Sequence, residues 1–168
     1  ADSRPLRVFH GTSASERGGS AFQSFETYGS NYGLFGQGSY FTADPSVADE
    51  YTAKGRGGSA TVYAVYLAIK APIDMDAKAN RAAWEAGYPE VDFDQWAPDG
   101  DTNEAYYRAV EDELSDQGVP KYEGAEAMQD GLRRMGHDGI THMGGGRVKN
   151  ADTSRRHRVF IAFDPEQI

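Results

Sequence analysis

Three short stretches carry residue types from which a pocket for a flat ring can be built. They are His10-Gly11-Thr12, the run Phe35-Gly36-Gln37-Gly38-Ser39-Tyr40-Phe41, and Tyr51 at the end of Asp44-Pro45-Ser46-Val47-Ala48-Asp49-Glu50-Tyr51. His10 brings an imidazole that can exchange a proton near neutral pH. Gly11 lacks a Cβ, so a ligand can approach its N–H and C=O directly, and Thr12 adds a hydroxyl. Tyr40 and Tyr51 flank a helix start. Two aromatic faces on one cationic ring would contribute about 0.5–2 kcal/mol each by stacking and cation–π attraction. Each residue alone has a plainer reading, since a His after a strand is usually structural and a tyrosine is usually core. In this order and spacing, the set reads better as a pocket.

The elements that must position these groups follow from local pattern. Arg7 to His10 reads as a strand ending in the Gly11 turn, and Ser13 to Asn31 as a long Gly- and Ser-rich loop with Phe22 and Phe25 as its apolar anchors. Gly38 to Thr42 is strand-like. Asp44-Pro45 then opens a helix, because Asp accepts a backbone N–H at a cap and Pro lacks a donor that the first turn would orphan. Lys54 to Ser59 reads as the turn that ends it. Thr61 to Ile69 is apolar on both faces, which predicts a central strand. Residues 77–122 read as a helical insertion, with Asp101 and Glu104 as a capping box for a helix to about Asp116. A further helix is expected near Glu123 to Met135. Strands are expected from His137 to Met143 and from Val159 to Phe163.

Composition bounds the rest. The chain has 168 residues, 39% of them hydrophobic, with a mean hydropathy of −0.67. These values suit one soluble α+β domain spanning residues 1–168, and no apolar run approaches the roughly 20 residues of a membrane span. The start, Ala1-Asp2-Ser3, suggests a processed chain or a domain of a larger protein, and secretion or injection are both compatible with it. A net charge of −9 argues against broad binding to nucleic acid or acidic membranes and favours a protein partner. The local exception is Arg147 to Arg158, where Arg147, Lys149, Arg155, Arg156, His157 and Arg158 face one acid, Asp152. Cysteine is absent, and His137 and His142 straddle a helix-to-strand change, so no metal site is expected. The glycine run lacks the Lys-Ser/Thr ending of a phosphate loop, and it leads into a strand rather than a Rossmann helix.

The order His10-Gly11, then Phe35-Gly36-x-Gly38-x-Tyr40-Phe41, then Tyr51 resembles the NAD-binding half of the ADP-ribosyltransferases related to poly(ADP-ribose) polymerases and diphtheria toxin. Val62 to Ile73, Gly136 to Ile140 and Phe160 to Ile168 extend the likeness to about two thirds of the chain, in the manner of small phage and bacterial members. The resemblance implies a split mixed sheet flanked by helices, and NAD as substrate. His10 would hold the adenosine ribose, and the Gly11 backbone would pair with the nicotinamide carboxamide. Tyr40 and Tyr51 would stack on the pyridinium ring, and Thr12, Gly38 and Phe41 would complete the cofactor site. The segment 144–158 would meet the target, in a chain expected to be monomeric.

Two positions depart from that pattern. Val159 stands where the chain-extending polymerases carry a glutamate, whose loss typically costs about 10²- to 10⁴-fold in general-base help. Gln167, and after it Glu166, are the nearby substitutes, Gln167 because it shares strand parity with Val159 if the strand persists. Ala48 replaces a serine that bonds the carboxamide in many polymerases, removing about 0.5–1.5 kcal/mol. The resemblance therefore implies transfer of a single ADP-ribose, with NAD hydrolysis and non-catalytic NAD or ADP-ribose binding as the other readings.

Overall fold

The computed structural model describes residues 5–13, 25, 32–52, 60–145 and 156–168. The expected loop from Ser13, the turn from Lys54 and most of the basic run from Arg147 fall largely or wholly outside these residues.

The chain forms β1 (Leu6–Ser13), a small hairpin of β2 (Tyr32–Gly33) and β3 (Gly36–Gln37), β4 (Ser39–Thr42), α1 (Pro45–Thr52), β5 (Ala60–Leu67) and β6 (Pro72–Asp74). Four helices follow: α2 (Arg81–Gly87), α3 (Phe93–Trp96), α4 (Asn103–Asp116) and α5 (Lys121–Arg134). Strands β7 (Gly139–Gly144) and β8 (His157–Ala162) and a 3-10 turn, Pro165–Gln167, complete it. Six strands make one mixed sheet in the order β5-β1-β4-β8-β7-β6, with β6 and β7 parallel and the other pairs antiparallel. This is the expected α+β class.

Local chemistry explains the helix starts. Asp44 Oδ1 accepts from the Ser46 N–H at 2.9 Å and from its hydroxyl at 2.7 Å, which fixes the first turn of α1. The cap of α4 is Thr102, whose hydroxyl accepts from Ala105 N, and not Asp101 as the capping pattern suggests.

Strand alternation divides the core in two. Ile140, Val159 and Ile161 face Trp84, Tyr88 and Tyr107 under the helices, with Tyr40 packed at the margin. Val8, Phe41, Leu67 and Ala162 form a smaller cluster on the opposite face. The stretch that reads as an insertion thus supplies half of the larger core. The expectation of a central strand is corrected as well: β5 lies at the sheet edge, pairing with β1 alone among the described residues. Its outer positions Ala64 and Tyr66, and Ala68 just beyond its end, are exposed. Tyrosine and alanine tolerate solvent, so apolar residues on both faces did not require burial of both faces.

Candidate functional site

The site begins where two neighbouring strands part. β1 pairs with β5 from Leu6 to Ser13, but with β4 it shares the single register pair Phe9–Thr42 among the described residues. Continuing that antiparallel register would set His10 opposite Phe41 and Gly11 opposite Tyr40. The gap between β1 and β4 therefore lies at the sequence-predicted residues.

His10 bridges this gap. Its Nδ1 is 2.8 Å from the Tyr40 carbonyl oxygen. A carbonyl only accepts, so Nδ1 carries the proton, and Nε2 of a neutral ring is the acceptor. The imidazole is half-buried, 5.5 Å from the Phe25 ring edge-on and 5.6 Å from Phe41. Phe41 is itself buried in the smaller cluster, where it backs His10.

Gly11 is required by packing. A Cβ there would sit 1.8 Å from the Ala48 carbonyl oxygen, so α1 lies directly against β1. Ala48 and Tyr51 are three residues apart in α1 and share one side of the helix. Tyr51, 45% exposed, therefore stands one turn beyond the Gly11 contact, on the same side. The backbone of Thr12 pairs with Thr61, and the Thr12 hydroxyl lies outside what is described.

Tyr40 is held by the hairpin before it. Its hydroxyl donates to the Gly36 carbonyl at 2.8 Å and accepts from Phe35 N at 3.2 Å. Its ring lies on Gly33, where a Cβ would come within 2.4 Å of the ring. The ring is half-buried. Gly38 has a φ of +148°, and a Cβ there would meet Ile161 at 2.6 Å, so its part is to let β4 pass close to β8.

Val159 is 8% exposed and sits between Thr42 on β4 and His142 on β7. Gln167 is not brought to it. β8 ends at Ala162, so the parity that would align Gln167 with Val159 lapses, and the chain turns into the 3-10 helix. There Gln167 Oε1 accepts from Phe163 N at 2.9 Å and Asp164 N at 3.0 Å, and Nε2 donates to the Asp138 carbonyl at 2.6 Å. The Gln167 amide fastens the 3-10 turn to the start of β7. Glu166 is exposed on the same turn.

Within the segment 144–158, Arg158 pairs with Asp74 at 3.1 Å and lies 3.8 Å from Asp76, while His157 is buried. Arg156 is exposed, and Arg147, Lys149 and Arg155 lie outside the described residues. No described helix is long and apolar enough to cross a membrane.

Sequence reasoning passed over Arg108 of α4. Its Nη2 donates to the Leu34 carbonyl at 2.9 Å, and its guanidinium lies 5.0 Å from the Phe35 ring centroid. No local signal ties residues 74 positions apart.

A family model described as ADP-ribosyltransferase in polyvalent proteins matches residues 1–168. No curated protein and no solved structure gives a significant match.

Proposed function

The chain belongs to the ADP-ribosyltransferases of polyvalent proteins, and from that premise we propose that it moves a single ADP-ribose from NAD to a protein target. The observation that supports this reading is the His10 Nδ1 contact to the Tyr40 carbonyl at 2.8 Å, next to the Gly11 against which α1, the helix of Tyr51, packs.

In this reading the nicotinamide ring lies between Tyr40 and Tyr51, and its carboxamide pairs with the Gly11 backbone. His10 Nε2 accepts from an adenosine-ribose hydroxyl, an assignment that agrees with a proton fixed on Nδ1. Thr12 borders the same ligand. Phe41 and Gly38 act through their neighbours, by backing His10 and by seating β4. The glycosidic C–N bond breaks, its electron pair leaves with nicotinamide, and the ribosyl C1′ becomes an oxocarbenium ion. A target nucleophile captures C1′ and gives up its proton to its own surroundings. The aliphatic Val159 offers no carboxylate to activate a ribose hydroxyl as the next acceptor, which supports one transfer over chain growth. Gln167 is assigned to holding the 3-10 turn against β7, and the segment 144–158 to meeting the target.

The test uses NAD labelled in its ADP-ribose portion with a cell lysate, comparing wild type with His10→Ala and Tyr51→Ala. Label is expected on protein and not on nucleic acid. Tyr51→Ala should weaken use of NAD by roughly 2- to 30-fold, the equivalent of about 0.5–2 kcal/mol for one ring face. Undiminished transfer in both variants would remove the site. Free labelled ADP-ribose alone would make the protein an NAD hydrolase. Binding without nicotinamide release would make it a binding module.

A further inference from the structure

The geometry points to Arg108 as a positioning residue for Tyr40, acting from α4 through the β2–β3 turn. This rests on the reading that Tyr40 stacks on the nicotinamide ring.

The path is continuous. Arg108 donates to the Leu34 carbonyl at 2.9 Å and covers Phe35 at 5.0 Å and Tyr107 at 5.8 Å. Phe35 is buried, with its ring edge-on to Tyr107 at 5.3 Å. The backbone of this same turn then holds the Tyr40 hydroxyl through Phe35 N and the Gly36 carbonyl. Arg108 is itself held by Glu111, and Glu104 lies 3.9 Å away. A planar guanidinium with several donors can bond a carbonyl, stack on a ring and keep an ion pair at once, which a lysine cannot. A second tie, from Gln129 on α5 to the Gln37 carbonyl at 2.9 Å, holds the hairpin at its other end. The helical stretch that has no counterpart in the family resemblance thereby becomes the abutment of a stacking wall.

The experiment measures NAD kinetics and thermal midpoints for wild type, Arg108→Met, Tyr40→Phe and their double variant. Arg133→Met is the matched control. Arg133 also covers a phenylalanine, Phe163 at 5.5 Å, and pairs with Asp164 at 3.0 Å, away from the hairpin. Arg108→Met should raise KM for NAD at least fivefold with kcat within twofold, while Arg133→Met leaves KM unchanged at a similar midpoint. Arg108→Lys should recover less than half of the loss. In the Tyr40→Phe background the hydroxyl link is already gone, so Arg108→Met should add less than twofold. Equal KM effects in the two arginine variants, or full additivity with Tyr40→Phe, would overturn the inference. Wild type that does not use NAD would instead overturn the functional reading.

Discussion

Two groups of aromatic side chains differ in how far the fold encloses them. Under the helices, Tyr88, Tyr106 and Tyr107 are no more than 4% exposed, and Trp84 is fully buried among them. By contrast, Tyr40 on β4 is half-buried and Tyr51 on α1 is 45% exposed. Tyr88 and Tyr40 even share a device, for each ring lies on a glycine, Gly131 or Gly33, whose Cβ would overlap it. The difference is closure. Tyr88 gives its hydroxyl to the Met128 carbonyl inside the core, where burial pushes its phenol upward. Tyr40 gives its hydroxyl to the Gly36 carbonyl of the β2–β3 hairpin and is itself only half-buried. Residue type therefore does not separate the two groups, whereas the degree of enclosure does.

The comparison breaks most visibly at Trp84. It stacks on Tyr88 at 5.5 Å and donates from Nε1 to Asn103 Oδ1 at 2.9 Å. Trp84→Ala should cost about 3–5 kcal/mol in urea unfolding, because it removes a large buried side chain and leaves a cavity. That is a major part of the roughly 5–15 kcal/mol of a typical domain. Tyr51→Ala should shift the same curve by less than about 1 kcal/mol, the usual cost at an exposed position. Comparable losses would mean that the two aromatic groups are not distinct.

Gly11→Ala joins the two measurements. The new methyl would meet the backbone of α1, which yields only by moving the helix. Overpacking of this kind costs about 1–3 kcal/mol. A shift on the order of 1 Å in a substrate-positioning element can lower turnover about 10²-fold. Folded, spectroscopically normal protein with at least that loss of activity is the expected outcome. Full activity would show that the α1–β1 contact does not set the site.

What could be read beforehand was what local pattern determines. The start of α1 follows from Asp44-Pro45, and the two long helices follow from periodicity to within a few residues. Edge placement of β5 was not legible, because it depends on which strands β1 and β4 accept rather than on Ala64 or Tyr66. The three-residue β6 has no local signature, since it opens on Pro72 and its partner β7 lies far along the chain. His10, Gly11, Tyr40 and Tyr51 come from residue type, spacing and resemblance, and the continued β1–β4 register would set Gly11 opposite Tyr40. Arg108 and the fastening role of Gln167 depend on contacts across 74 and 29 positions, where spacing carries no information.

The smallest expected effect sharpens the comparison on the helical side. Burial raises the Glu111 carboxyl above its ordinary value near 4.5, and the neighbouring Arg108 guanidinium opposes this without cancelling it. A raised value means that the folded chain binds this proton more tightly than the unfolded chain does. Stability from this group is thus greatest at low pH and falls as pH rises from about 4.5 through the raised value, then levels off. Glu111→Gln removes that dependence along with the ionic bond to Arg108. The difference between variant and wild type should therefore move in favour of the variant across this window, by less than about 1 kcal/mol, the scale of a partly exposed ion pair. The lost bond shifts the difference at every pH, so the slope of denaturant stability against pH is the informative quantity. A slope of opposite sign would mean that Arg108 outweighs burial, and that this end of α4 is organised by charge rather than enclosure.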